Sequence, residues 1–223
     1  MWLHTEPVIR RALAIEDARA HLAGGHHHEE LVSRGQQVFF GALTAVVAGV
    51  LVGLVFAVVF AKARHRLPGA TDHARALWLA VLGFAAVTLF PAVAIPADPP
   101  AVGDPDTVTR RTLLYVLAIL VALLVVGAVF GLDRLLAGRG TDEAVRRSAV
   151  VLGGAALVAV ALWLLPGPPE RVPADVPAGL LWDFRVASLA QLAAMWLVLG
   201  TLFGLLSRER RPAARREREP ALP

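Results

Sequence analysis

The densest cluster of potential metal ligands is the segment GGHHHEE, residues 24–30, in which three histidines precede two glutamates. Neutral imidazole binds cobalt, nickel, copper and zinc, and carboxylates complete octahedral shells around such ions. Short histidine tracts are a compositional sign of metal binding. We expect a metal-collecting site with the ligands His26, His27, His28, Glu29, Glu30 and His21. A histidine-rich solvated loop and a pH-sensing segment are the alternatives.

A second set of polar side chains lies in an apolar stretch nearer the C-terminus. Ser188, Gln191 and Met195 recur at helical spacing, so they share a helix face and are candidates to line an ion path. For Gln191 the simpler interpretation is an interhelical hydrogen bond, because a buried amide needs a partner. Asp183 either anchors the same helix at the interface or captures a cation with aspartates of another loop, Asp98, Asp104 and Asp106.

The whole chain is strongly apolar: 57% of its 223 residues are hydrophobic and its mean hydropathy is +0.61. A soluble domain of this composition would expose more hydrophobic surface than solubility tolerates, which predicts an integral membrane protein. Arginines at the ends of apolar runs favour the lipid bilayer over nucleic acid as a partner. The sequence has no cysteine and no P-loop, dinucleotide-binding or hydrolase motif, so we expect neither an enzyme nor a tightly bound cofactor.

Five apolar segments are long enough to cross a bilayer core of ~30 Å as helices. The predicted fold is therefore all-α, a polytopic helical membrane bundle with five transmembrane helices at 38–61, 77–95, 112–132, 145–165 and 184–206. Pro91 should kink the second of them. Residues 1–36 would form an N-terminal segment, 37–206 the bundle and 207–223 a basic, disordered tail.

Arginine and lysine are distributed unevenly over the loops, which predicts the orientation. Loops 62–75 and 133–147 and the tail are basic, whereas loops 96–111 and 166–183 contain few basic residues. We therefore expect the C-terminus in the cytoplasm and the histidine cluster outside, in the inner (cytoplasmic) membrane. A polar N-terminus outside a five-span protein lacks a preceding helix, so we expect a sixth helix upstream of Met1 in the complete form.

Small residues recur at every fourth position of the first span, a spacing that lets helix backbones approach closely. This small-residue ridge consists of Gly41, Ala45, Gly49, Gly53, Ala57 and Ala61. Shorter versions occur at Gly127 and Gly131 and at Gly200 and Gly204. Packing within the bundle is the simpler interpretation, and docking of a partner subunit or homo-oligomerisation is the alternative.

Four stretches resemble the CbtA family, proposed cobalt transporter subunits of prokaryotic inner membranes. They are EPVIRRALAIEDARA (6–20), HHHEE (26–30), GFAAVTLFPAVAIPADPP (83–100) and VPADVPAGLLWDFRVASLAQLAAMWLVLGTLFG (172–204). Family members typically begin with one more helix, in agreement with the topology argument. The resemblance implies Co²⁺ as cargo, a small histidine-bearing partner of the CbtB type, and a link to cobalamin synthesis. The donor chemistry alone leaves nickel, copper and zinc open.

These observations predict transport of a divalent transition metal, with cobalt selected by the resemblance. The alternative is a non-transporting membrane scaffold or metal-sensing subunit that docks a partner through the small-residue ridge. A transporter needs a polar route through its spans, and few polar residues lie within them.

Overall fold

The computed structural model describes residues 34–99, 105–167 and 176–207. Five helical segments of this part of the chain are long and apolar enough to cross a membrane. They are α1 (Arg34–Ala63), a composite second span, α4 (Val108–Gly138), α5 (Glu143–Leu164) and α6 (Ala178–Leu206). The second span consists of α2 (Asp72–Gly83), a π-helical turn (Phe84–Leu89) and α3 (Phe90–Ala94). Since the described residues contain no strand, the predicted all-α bundle with five spans is confirmed.

Turn residues and caps separate the helices. Gly69 and Gly140 adopt φ values of +128° and +68°, a region that favours glycine, in the turns before α2 and α5. The Thr71 hydroxyl caps α2 by accepting from the Ala74 N–H at 3.1 Å. Asp142 caps α5 and accepts from two backbone N–H groups, at 3.0 and 3.2 Å. These side chains satisfy donors that a helix start leaves without partners, so each helix begins at a defined residue.

Helices α2 and α6 pack at short distance because α6 presents glycines to α2. A Cβ built on Gly200 would lie 2.5 Å from the Ala80 Cβ, and one on Gly204 would lie 3.0 Å from the His73 Cα. Ala80 and Ala76 are only 3% and 0% exposed. The glycine pair of α6 therefore packs within the bundle, as the simpler interpretation predicts.

A second packed region joins the second span to α4 and α5. Ala86 and Phe90 form a buried cluster with Ala118 and Ala122, which lie one turn apart on α4. Partly buried residues of α5 pack against the same cluster. This contact sets the first half of α4 beside the π-helical turn.

Helix α1 contacts the bundle through two phenylalanines in its second half. Phe56 and Phe60 are 4% and 5% exposed, and both rings pack edge-to-face on Phe203 of α6, with centroids 5.2 and 5.1 Å apart. No described atom outside α1 comes within 4 Å of a Cβ built on Gly41, Gly49 or Gly53. Within the described part of the chain, the small-residue ridge is therefore largely uncovered, unlike the glycine pair of α6.

Candidate functional site

The second span is disrupted where it approaches α4. In a continuous α-helix the N–H of residue 91 would bond to the Val87 carbonyl, but Pro91 has no N–H. Tyr115 of α4 replaces this donor, because its hydroxyl donates to the Val87 carbonyl oxygen at 3.2 Å. The disruption predicted at Pro91 thus takes the form of a π-helical turn whose freed carbonyl is bonded by a neighbouring helix.

The π-helical turn also carries the buried polar residue Thr88, which is 4% exposed. The Trp196 indole Nε1 of α6 donates to the Thr88 hydroxyl oxygen at 3.0 Å. The indole reaches this position over Gly83, where a Cβ would overlap the ring. Both indole N–H and hydroxyl are polar groups in an apolar region, so the bond satisfies each of them. It ties the second span to α6 in the interior of both spans.

Three charged residues join the ends of three spans; we call Asp98, Arg111 and Arg185 the Asp98 clasp. The Arg111 Nη2 lies 3.3 Å from Asp98 Oδ2, and the Arg185 Nη2 lies 2.9 Å from Asp98 Oδ1. The Arg185 Nε also donates to the Ala97 carbonyl oxygen at 3.0 Å. The Asp98 side chain is only 11% exposed, against 26% for Arg111 and 33% for Arg185. One carboxylate thus connects the loop after α3 to the first turn of α4 and to the N-terminal part of α6.

A cavity of about 570 Å³ lies between the Asp98 clasp and the Thr88–Trp196 bond. It is lined from α3 and the preceding π turn, from α4 and from α6, by Thr88, Ala92, Val93, Ile95, Pro96, Ala97, Arg111, Thr112, Tyr115, Val116, Trp182, Arg185, Val186, Ser188, Leu189 and Leu192. Its lining on α6 runs from Trp182 to Leu192, which at 1.5 Å per residue is roughly 15 Å along the helix. That length is about half of a ~30 Å hydrocarbon core. The cavity therefore enters the bundle from the Asp98 end and stops before Trp196.

The family model with the description "Probable cobalt transporter subunit (CbtA)" matches residues 1–208 of this chain. The chain belongs to the CbtA family. The resemblance drawn from the four sequence stretches is therefore confirmed, and with it a multi-pass membrane protein with a transport role. Comparison with curated proteins and with solved structures finds no match.

The histidine–glutamate cluster of this CbtA chain lies outside the described residues, together with its additional candidate ligand. This applies to His21, His26, His27, His28, Glu29 and Glu30. Within residues 34–99, 105–167 and 176–207 no group of three or more His, Asp or Glu side chains is placed to hold a metal ion. The predicted metal ligands thus remain a prediction.

The candidates on the fifth span do not all share the cavity. Ser188 lines it, whereas Gln191 and Met195 are exposed on the surface of the CbtA bundle and are absent from the lining. Asp183 is also exposed and lies outside the lining. Only Ser188 of the four candidates therefore contributes to the cavity, because the lining face of α6 is the one that carries Arg185, Leu189 and Leu192.

Sequence reasoning missed the interactions that shape this site. Asp98, weighed as a cation ligand, instead accepts from two arginines, one of them 87 residues away along the chain. The sequence does place Asp98, Arg111 and Arg185 near span ends that lie on the same side of the bundle, and this placement could have predicted the ion pairs. The Thr88–Trp196 bond had a weaker signal, since each is a polar group inside a span and needs a partner.

Proposed function

We propose that this chain carries a divalent transition metal ion, Co²⁺, across the cytoplasmic membrane as one subunit of a transporter. The observation that supports this most directly is the CbtA family match over residues 1–208 of 223. The sequence contains no nucleotide-binding motif that would supply energy. The chain therefore acts as a facilitator or with a partner, and supply of cobalt for cobalamin synthesis is the purpose we propose.

The proposed orientation follows from the charges on the connections between helices. The last turn of α1 carries Lys62, the connection from α1 to α2 carries Arg64 and Arg66, and the one from α4 to α5 carries Arg139. Basic connections favour the cytoplasmic side. The Asp98 end of the bundle then faces outward, the C-terminus is cytoplasmic, and the histidine cluster lies on the outer side.

In this arrangement the histidine–glutamate cluster collects the ion next to the outer end of the bundle. Ser188 in the cavity, with Gln191, Met195 and Asp183 on the surface of α6, are the proposed path residues of this chain. Exposed polar residues within a span need a partner in lipid, so Gln191 supports a second subunit at this surface. A small histidine-bearing subunit of the CbtB type is the partner we propose, and a second copy of the chain is the alternative.

A non-transporting scaffold or metal-sensing subunit is the second candidate function. It is favoured by the small-residue ridge, because no described atom outside α1 lies within 4 Å of a Cβ at Gly41, Gly49 or Gly53. Small residues allow close helix approach, so an uncovered ridge suits a docking surface. On this reading the variant Gly49→Leu would abolish partner capture, and no variant would change metal flux.

Cobalt accumulation in cells that lack their own uptake system tests the proposal. Cells would express the intact chain, the triple variant His26→Ala/His27→Ala/His28→Ala, or an empty vector, each with and without a CbtB-type partner. His65→Ala is a matched control, since His65 is exposed and lies on the proposed cytoplasmic side. We expect uptake with the intact chain and with the control, and its loss in the triple variant at equal membrane expression.

Two other outcomes would change the assignment. Uptake that survives the triple variant would remove the histidine cluster from the mechanism while keeping transport. Failure of the intact chain to raise uptake, with its partner present and correctly inserted, would favour the scaffold or sensor.

A further inference from the structure

At the end nearest the Asp98 clasp, the wall of the cavity carries basic side chains, which suit an anion. Two guanidinium groups, of Arg111 and Arg185, belong to its wall, and its lining contains no acidic residue among the residues described. Asp98 lies behind them and is 11% exposed, so it orients both arginines while staying out of the lining. We propose that this cavity binds an anion with a phosphate head and an apolar body, the chemistry of an anionic phospholipid. This inference goes beyond the metal transport proposed above.

The donors for the head group come from the arginines. A guanidinium carries five N–H donors in a fixed fork that fits phosphate oxygens. Arg185 uses Nε for the Ala97 carbonyl and Nη2 for Asp98, and its Nη1 has no partner within the part of the chain that the structure covers. By contrast, the Tyr115 hydroxyl already donates to Val87, and the Thr112 hydroxyl already donates to Val108 at 2.9 Å. An oxyanion in the cavity would therefore be bound chiefly by the Arg185 guanidinium, with the Arg111 side chain in the same wall.

The remaining wall suits an apolar chain. Leu189 and Leu192 line the deeper part, while Val93 and Val116 are lining residues that are also 56% and 48% exposed at the surface of the bundle. Residues that are both lining and exposed mark a lateral opening, and in a spanning bundle that surface faces lipid. Trp182, 69% exposed, stands at the same rim, where indole rings favour the head-group region.

The size of the cavity fits a head group with a few methylenes. A volume of about 570 Å³ lies within the range of small-molecule sites, which are mostly apolar with a few polar groups that fix orientation. Basic pockets between transmembrane helices are a recognised way to bind anionic lipid head groups. The site is charged near the span ends, where the arginines lie, and apolar deeper in the bundle, where the leucines lie. A phospholipid has the same order, a charged head group followed by apolar chains.

Binding of short-chain lipid to the purified full chain in nonionic detergent tests the proposal. Affinities would be taken from the ligand dependence of the melting temperature. The probes are dihexanoyl phosphatidylglycerol, the zwitterionic dihexanoyl phosphatidylcholine, and inorganic phosphate. The variants are Arg185→Gln, which removes a donor, and Val116→Trp, which blocks the opening and leaves the Asp98 clasp intact. Arg110→Gln is the matched control, because Arg110 neighbours Arg111 but is exposed and outside the lining.

We expect phosphatidylglycerol to bind the intact chain and Arg110→Gln equally. Arg185→Gln should bind it at least about tenfold more weakly, the factor for loss of a hydrogen bond to a charged group. Val116→Trp should also bind it more weakly, because the indole fills the opening. Val116→Trp keeps the test decisive if Arg185→Gln lowers stability. If inorganic phosphate competes with phosphatidylglycerol at similar affinity, the ligand of the cavity is a free oxyanion and not a lipid head group. Equal binding of phosphatidylcholine, or unchanged phosphatidylglycerol binding in both cavity variants, would overturn the proposal.

Discussion

Removal of the Asp98 carboxylate should loosen three spans at once. In Asp98→Asn, the amide oxygen can accept from one guanidinium, but the amide N–H₂ then faces the other, donor against donor. Hydrogen bonds to charged groups contribute about 1.5–3 kcal/mol each, and Asp98 makes one to each arginine. Because the arginine side chains are 26% and 33% exposed, solvent screening reduces this sum, and we expect a loss of about 2–3 kcal/mol in the free energy of unfolding.

The matched control is Asp133→Asn. Asp133 pairs with Arg146 at 3.3 Å in the α4–α5 region, but its side chain is 45% exposed. A single exposed pair contributes about 0–1 kcal/mol. Equilibrium unfolding by sodium dodecyl sulfate in mixed micelles, followed by circular dichroism, measures both variants. If Asp98→Asn destabilises the chain no more than Asp133→Asn does, the clasp does not hold the spans together and the reasoning from burial is wrong.

Three further predictions concern helix contacts and use the same unfolding assay. Gly200→Val should cost about 1–3 kcal/mol, because its Cβ would lie 2.5 Å from a neighbouring Cβ, whereas Gly127→Ala, with nothing within 4 Å, should cost nothing. Equal effects of the two would contradict close packing of α2 on α6. Tyr115→Phe should cost about 1 kcal/mol by leaving a freed carbonyl without its donor, and an unchanged stability would show that water or lipid replaces the bond. In a double-mutant cycle, Thr88→Val and Trp196→Phe should each destabilise and the pair should cost less than their sum; additivity would argue against the bond.

The spans and the site at Pro91 could be predicted because they depend on local sequence. Length and hydropathy determine which segments cross a bilayer, and a proline without an N–H disrupts a helix wherever it lies. Which side chains line the cavity, by contrast, depends on which helices are neighbours in the bundle. The pairing of Asp98 with Arg185 joins residues 87 positions apart, which no periodicity within one helix reports.

The small residues also show that sequence spacing does not identify the neighbouring helix. Gly200 and Gly204 approach α2 closely, whereas Gly41, Gly49 and Gly53 belong to a ridge with the same four-residue repeat, and no described atom outside α1 lies within 4 Å of a Cβ built on any of them. The spacing of small residues indicates that another helix backbone can approach, but which helix does so depends on the tertiary structure. Likewise, Ser188 and Gln191 lie three residues apart, yet only Ser188 lines the cavity, because the rotation of α6 is set by its contact with α2.

The π-helical turn makes the second span tolerant of a change in its length. An α-helix advances by 100° of rotation per residue, and a π turn accommodates one residue more than the α-helical path would. Deletion of a single residue between Phe84 and Leu89 would therefore restore a regular helix and leave the residues after it facing nearly as they do now. Pro91, Ala92 and the loop that carries Asp98 would keep their places beside α4 and α6. The turn thus takes up one extra apolar residue without separating the arginines from the cavity wall.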